Sequence, residues 1–117
     1  MNEVAVTLRV ARDATARQSA FDAWLAAVPD ARSRGDRAAV IVEGALAALN
    51  APADVCVESV AGCFCCVGQV ALGVVLTRLL RVQRPARLLL LAASDAHLER
   101  IRRMLGEARF AMLRLTD

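Results

Sequence analysis

Two short runs of the sequence are apolar at every position, and they limit the folds that are open to the chain. Residues 38–42 are Ala-Ala-Val-Ile-Val, and residues 88–91 are four consecutive leucines. A strand with apolar side chains on both of its faces is typical of a parallel sheet that helices cover on both sides. The two runs therefore predict a covered parallel sheet, with strands at residues 37–43 and 87–92.

The segments around these runs alternate between strand and helix patterns. Further strands are predicted at residues 3–10, 54–60 and 109–115, and helices at 13–28, at 67–81 and in a stretch that Ser94 or Asp95 caps and Gly106 ends. Residues 44–50 form a short helix at best. In the first helix, Thr15 and Gln18 are the predicted capping box, and the residues with the i, i+3, i+4, i+7 spacing of a helix are Phe21, Trp24, Leu25 and Val28. Such alternation within 117 residues predicts one α/β domain, a three-layer sandwich with a mostly parallel sheet of about five strands.

The composition argues against several classes of function. All 15 basic residues are arginine, so lysine Schiff-base chemistry and the usual phosphate-loop lysine are both absent. One Trp and three Phe offer little surface for stacking bases, and the arginines are scattered, so we expect no nucleic-acid partner. The most apolar stretch, residues 67–80, is shorter than the roughly 20 residues of a membrane span. Since the N-terminus does not resemble a signal peptide, we expect a cytoplasmic protein without a membrane partner.

Three of the four cysteines lie within four residues, between a predicted strand and a predicted helix, in the segment Gly62-Cys63-Phe64-Cys65-Cys66. In α/β proteins the carboxyl ends of the strands are where ligands bind. Thiolates bind zinc, copper(I) and iron, and a helix N-terminus favours the thiolate form. The segment therefore predicts a transition-metal site at Cys63, Cys65 and Cys66. The alternatives are cysteines that only pack, as we expect of Cys56 inside its strand, and a redox pair at Cys63 and Cys66, which have the Cys-x-x-Cys spacing.

Three thiolates leave one position of a tetrahedral metal site to be filled. Glu43 is the preferred fourth ligand, because it ends the second strand and should lie at the same edge of the sheet as the cysteine segment. The alternatives are Cys56, His97, water or a group from another subunit. His97 is the only histidine and follows Ser94 and Asp95 at a helix start, where a histidine is more often a surface or capping residue.

The cysteine segment and its surroundings resemble the CobW-like GTPases, a metallochaperone family that includes nitrile hydratase activators and zinc-homeostasis proteins. Residues 62–66 are similar to the Gly-Cys-x-Cys-Cys signature of that family, and an Arg-Pro turn like Arg84-Pro85 precedes an apolar strand there too. The resemblance covers nearly the whole chain but only the front part of a family member. It implies a P-loop NTPase-like fold, bound zinc or another thiophilic transition metal, and a metal-receiving protein or full-length family member as partner.

The residues with which this family binds nucleotide are replaced. At the phosphate loop Gly-x-x-x-x-Gly-Lys-Thr, the chain has Ala11 and Ala16 for the glycines, Arg17 for the lysine and Gln18 for the magnesium-binding hydroxyl. A Cβ at each glycine position obstructs a backbone cradle for phosphate, and an amide does not replace the hydroxyl on magnesium. After the fourth strand, Leu-Ala-Ala-Ser at 91–94 replaces Glu-Thr-Thr-Gly. The resemblance therefore implies a truncated pseudo-GTPase domain over residues 1–117, which handles metal or regulates a partner without binding GTP.

The second long helix is apolar around most of its circumference. Its polar positions form a narrow strip: Gln69, Thr77, Arg78, Arg81 and Arg84. Because a sheet covers only about half of a helix, the remaining apolar surface should contact a neighbouring helix or form an exposed patch. The sequence favours a symmetric homodimer through this surface, with Val75 and Leu76 on its outer face.

Overall fold

The fold is a five-stranded sheet in which all neighbouring strands are parallel, in the order β3-β2-β4-β1-β5. The computed structural model describes residues 3–27, 37–44, 49–60, 67–96 and 98–116. The strands are β1 (Val4–Val10), β2 (Ala38–Glu43), β3 (Val55–Val60), β4 (Arg87–Ala92) and β5 (Leu113–Thr116). The helices are α1 (Ala14–Ala26), α2 (Val67–Val82) and α3 (Leu98–Leu105), with a 3₁₀ helix at Ala108–Phe110. The predicted α/β class and parallel sheet are confirmed.

Helices pack on both faces of the sheet and give it three layers. On the face that we call the α1 face, Phe21 and Trp24 of α1 pack against Val40 of β2 and Leu89 of β4. On the opposite face, the α2/α3 face, residues of both later helices form the larger core with β1, β2 and β4: Leu72, Leu76, Leu79, Ile101, Met104, Val6, Leu8, Ile41, Leu88 and Leu90. The two apolar runs are the central strands, and β2 is buried at every residue.

The first helix begins two residues earlier than a Thr15–Gln18 capping box requires, so that prediction is wrong. Asp13 has extended backbone angles, and its carboxylate accepts the N–H of Ala16 at 2.7 Å. The amide of Gln18 is engaged elsewhere: it donates to the carbonyl oxygen of Asn50 at 2.9 Å and accepts the N–H of Asn50 at 2.8 Å. Gln18 therefore ties α1 to the segment that precedes β3.

The last strand is shorter than predicted. Residues 109–115 were expected to alternate along one strand, but Ala108–Phe110 is a 3₁₀ helix and β5 begins at Leu113. Phe110 is 2% exposed and belongs to the core of the α2/α3 face. Because the 3₁₀ turn places this ring in the core, burial of one large aromatic side chain outweighs the alternating pattern.

The predicted outer face of α2 is also wrong. Leu76 is fully buried, and Val75 packs partly against the core of the α2/α3 face. Among the described side chains of α2, the exposed large apolar ones are Val74 and Val82. Residues of α3 and Phe110 share the core with α2, so they cover part of the α2 surface that does not face the sheet. Self-association stays a prediction, but Val75 and Leu76 are not exposed contact residues for it.

The apolar helix α2 also bears on the expectation of no membrane partner. Among the helices of the described residues, none is long and apolar enough to cross a membrane.

Candidate metal centre

The carboxyl ends of four strands form one continuous edge. Backbone hydrogen bonds extend this edge beyond the strands, from the N–H of Ala11 to the carbonyl of Ala92 at 2.8 Å and from the N–H of Gly44 to the carbonyl of Val60 at 2.7 Å. Gly44 has a φ of +93°, a left-handed conformation that favours glycine. The edge is therefore held together up to Val60, the last described residue before the cysteine segment.

Glu43 lies at this edge, as the sequence predicted. It is the one buried charged residue in the described part of the chain. Its Oε1 accepts the N–H of Ala93 at 2.5 Å. Its backbone is in register with Val60 of β3. Because Ile41, two residues earlier, packs on the α2/α3 face, the Glu43 side chain lies on that same face. The carboxylate therefore lies at the carboxyl edge on the β4 side of β2, while the backbone of Glu43 lies beside Val60 at the end of β3.

The predicted thiolate ligands Cys63, Cys65 and Cys66 lie outside the described residues, and so does His97. Within the described ranges, no group of three or more metal-binding side chains occurs. The sulfur ligand set and the redox pair therefore stay predictions, and the geometry bears directly only on Glu43 and Cys56.

Cys56 lies away from the carboxyl edge. It is the second residue of β3, so at about 3.3 Å per residue it lies about 13 Å from Val60. It packs, half-buried, against the core of the α2/α3 face. Burial, and then the charge of Glu58, raise the pKa of the Cys56 thiol, while Arg78 lowers it. Its position in the core, away from the carboxyl edge, agrees with the packing role that the sequence predicted.

The N-terminus of α1 is closed by the side chain of Asp13. Its carboxylate accepts the N–H of Ala16, and the neighbouring Arg12 pairs with Asp95 at 3.4 Å. A phosphate at this helix end would need the same N–H and would meet a negative charge. Sequence reasoning missed this cap, although an Asp directly before a helical pattern is a start signal that identifies it.

The structural role of Gln18, in contrast to the Asp13 cap, has no signal in the sequence. Its partner is the backbone of Asn50, 32 residues further along the chain. A long-range pair between a side chain and the backbone leaves no spacing pattern in the sequence.

Comparison with protein-family models, curated proteins and solved structures gives no match for this chain. A function must therefore be argued from the cysteine segment and from the geometry of the carboxyl edge.

Proposed function

We propose that the chain binds one thiophilic transition-metal ion at the carboxyl edge of the sheet, and that the ion is zinc. The thiolates of Cys63, Cys65 and Cys66 are three ligands, and the carboxylate of Glu43 is the fourth. The observation that carries the proposal is the position of Glu43, which is buried at the carboxyl edge and in register with Val60, the last described residue before the cysteine segment. Three sulfur ligands and one oxygen ligand suit the tetrahedral coordination that zinc prefers.

The hydrogen bond from Ala93 supports a ligand role for Glu43. Ligating carboxylates are usually oriented by a second group, and a backbone N–H fixes the rotamer of Glu43 before any metal binds. The same contact also links the ends of β2 and β4, which are neighbours in the sheet. A ligand held in this way loses little conformational entropy on binding.

A role in metal handling or in regulation of a partner is supported by the resemblance to the CobW-like metallochaperones. The partner is then a metal-receiving protein or a full-length family member. Two contacts favour such a role without GTP hydrolysis. Asp13 occupies the N–H of Ala16 at the start of α1, and the amide of Gln18 is bound to Asn50.

Elemental analysis of protein purified without chelator tests the metal site. We expect about one zinc per chain in the wild type and almost none in a Cys63→Ala, Cys65→Ala, Cys66→Ala triple variant. Cys56→Ala is the matched control and should keep its zinc. Zinc binding should also weaken as the pH falls, since the thiols must lose their protons. Equal zinc in the wild type and the triple variant would contradict the proposal.

Glu43→Gln tests the fourth ligand, because it preserves the shape of the side chain and removes its charge. We expect zinc affinity, measured by competition with a chelator, to fall by about tenfold or more. X-ray absorption of the wild-type protein should show three sulfur ligands and one oxygen ligand. A spectrum with a nitrogen ligand, together with unchanged affinity in Glu43→Gln, would transfer the role to His97.

Calorimetric titration with GTP and magnesium tests the pseudo-GTPase part. We expect no micromolar binding, because the glycines, the lysine and the hydroxyl of the phosphate loop are all replaced. A tight complex that depends on magnesium would show that the domain is a nucleotide-binding protein.

A further inference from the structure

The exposed side of α2 forms an open groove together with the 3₁₀ helix. We call it the α2–Arg109 groove; its volume is about 710 Å³, and its lining residues are Gly73, Val74, Thr77, Arg78, Arg81, Val82 and Arg109. These residues belong to the later part of α2 and to the 3₁₀ helix, whereas the proposed thiolate ligands precede α2 in the chain. The lining residues include neither Glu43 nor Val60, the described residues of the candidate metal centre.

Val74 and Val82 are the exposed large apolar side chains that line the groove. Val74 and Val82 are 63% and 65% exposed, the highest exposures among the large apolar side chains of the described residues. They are eight residues apart on one side of α2, which separates them by about 12 Å. A Cβ added at Gly73 would lie 3.4 Å from a guanidinium nitrogen of Arg109, so this guanidinium lies close to the backbone of α2. Two apolar contacts at this distance match apolar side chains about two turns apart on an apposed helix.

Basic side chains lie in the groove beside these two valines. Arg78, Arg81 and Arg109 line the groove, and none of its described lining residues is acidic. Arg78 pairs with Glu58 and Arg109 with Glu107, each at 2.9 Å, and these carboxylates are not among the lining residues. No carboxylate of the described ranges pairs with Arg81. The groove therefore combines two exposed valines with an excess of positive charge.

We propose that the α2–Arg109 groove binds an acidic amphipathic helix of a partner protein. Apolar side chains of that helix contact Val74 and Val82, and its carboxylates pair with Arg78, Arg81 and Arg109, since guanidinium groups bind carboxylates with paired hydrogen bonds. Charge complementarity favours this occupant over a second copy of the chain, because a symmetric contact would bring together two Arg81 side chains, which no described carboxylate pairs with. It is favoured over nucleic acid because the lining has no aromatic side chain on which bases could stack.

A designed peptide tests the proposal directly. The probe is a fluorescent helical peptide of about 20 residues with a leucine stripe flanked by glutamates. One control peptide carries lysine at each glutamate position, and another has the same composition without the stripe. By fluorescence anisotropy at low salt, we expect the acidic amphipathic peptide to bind at least about tenfold more tightly than either control, and to weaken as salt is added. Equal binding of the three peptides, or no binding of the acidic one, would overturn the proposal.

Variants locate the binding surface. Arg81→Glu and Val74→Asp should each weaken peptide binding by about tenfold, and both positions are exposed, so the fold should survive, as circular dichroism would verify. Arg100→Glu makes the same charge change on the exposed side of α3 and should leave binding within about twofold. An equal loss in Arg100→Glu, or equal affinity for single-stranded DNA, would show unspecific attraction of anions and overturn the proposal. A dimer detected by light scattering and abolished by Val74→Asp would assign the groove to a second copy instead.

Discussion

The α1 face of the sheet has two halves that differ in side chains and in cover. In the half over β2 and β4, Val40, Val42, Leu89 and Leu91 are buried beneath Phe21 and Trp24. In the half over β1 and β5, the side chains are small or polar and more exposed: Ala5, Thr7, Arg9, Arg114 and Thr116. An open cleft of about 460 Å³ between α1 and the outer strands marks the boundary, and four alanines help to line it. We call the half over β2 and β4 the dry half of this face, and the half over β1 and β5 the wet half.

The pattern of apolar residues in each strand reflects how many of its two faces are covered by helices. β2 and β4 are apolar almost throughout, because helices lie on both of their faces. β1 alternates instead: Val4, Val6 and Leu8 are buried on the α2/α3 face, and the residues between them are partly exposed on the α1 face. Continuous and alternating patterns thus distinguish strands covered on two faces from strands covered on one. The alternation in β1 was the available signal that α1 does not cover the whole sheet.

Leu90→Ala in β4 should have the largest effect on stability. The side chain is fully buried in the α2/α3 core, and its truncation leaves a cavity between packed layers. We expect a loss of about 2–5 kcal/mol in the free energy of unfolding, measured by urea denaturation. Leu115→Ala is the matched control in the outer strand β5, where the side chain is 37% exposed, and it should cost less than about 1 kcal/mol. Equal losses would remove the distinction between central and outer strands.

The centre of the fold was the most predictable part. The bounds predicted for β4 are those observed, because four leucines in a row leave little choice for the strand. Two errors have different causes. The first is local, since Asp13 and Thr15 are both suitable N-caps and the helix begins after Asp13. The second is tertiary, since the turn that places Phe110 in the core shortens β5, and such a contact leaves no periodic signal.

Of the candidate site, the place of Glu43 in the fold could be predicted from the sequence. An apolar run that ends at Glu43 placed this residue at the carboxyl end of β2, and the structure adds its burial and its bond to Ala93. The burial of Leu76 could not be predicted from the pattern of α2 alone. It depends on how α2 and α3 pack together on the sheet. The α2–Arg109 groove joins an exposed helix face to an arginine of a later turn, so it was visible only in three dimensions.

Arg87 lies at the boundary between the two halves and should have the next largest effect. Its guanidinium donates to the carbonyl oxygen of Trp24 at 2.6 Å and lies 4.6 Å from the centroid of the Trp24 ring. For Arg87→Ala we expect a loss of about 2–3 kcal/mol, from a charged hydrogen bond and a cation–π contact. Arg87→Lys should lose roughly half as much, because an ammonium keeps the charge but not the planar contact.

Arg114→Ala is the control for Arg87 in the wet half. Arg114 pairs with Glu3, but both side chains are largely exposed. Urea denaturation should therefore show a change within about 1 kcal/mol. A loss as large as that of Arg87→Ala would mean that the outer half is covered in solution.

Gln18→Ala should have an intermediate effect, because Gln18 holds α1 above the dry half through Asn50. Removing two hydrogen bonds to the backbone should cost about 1–2 kcal/mol. Ser19→Ala is the matched control, since Ser19 is exposed on the same helix. Thermal unfolding of both variants measures the difference. Equal melting temperatures would show that the Asn50 contact does not fix the position of α1.

Thr7→Val in β1 should have the smallest effect and provides the sharpest comparison of the two halves. The Thr7 hydroxyl lies 3.2 Å from that of Thr116 in an exposed setting, where water can replace either partner. Valine keeps the shape and the strand preference of threonine, so we expect a change within about 0.5 kcal/mol. Val40→Thr makes the reverse substitution in the dry half, where the side chain is fully buried, and a buried hydroxyl there should cost about 1–3 kcal/mol. Since the two changes exchange the same atoms, the difference between their urea midpoints measures the cover that α1 provides, and equal effects would contradict the division of this face.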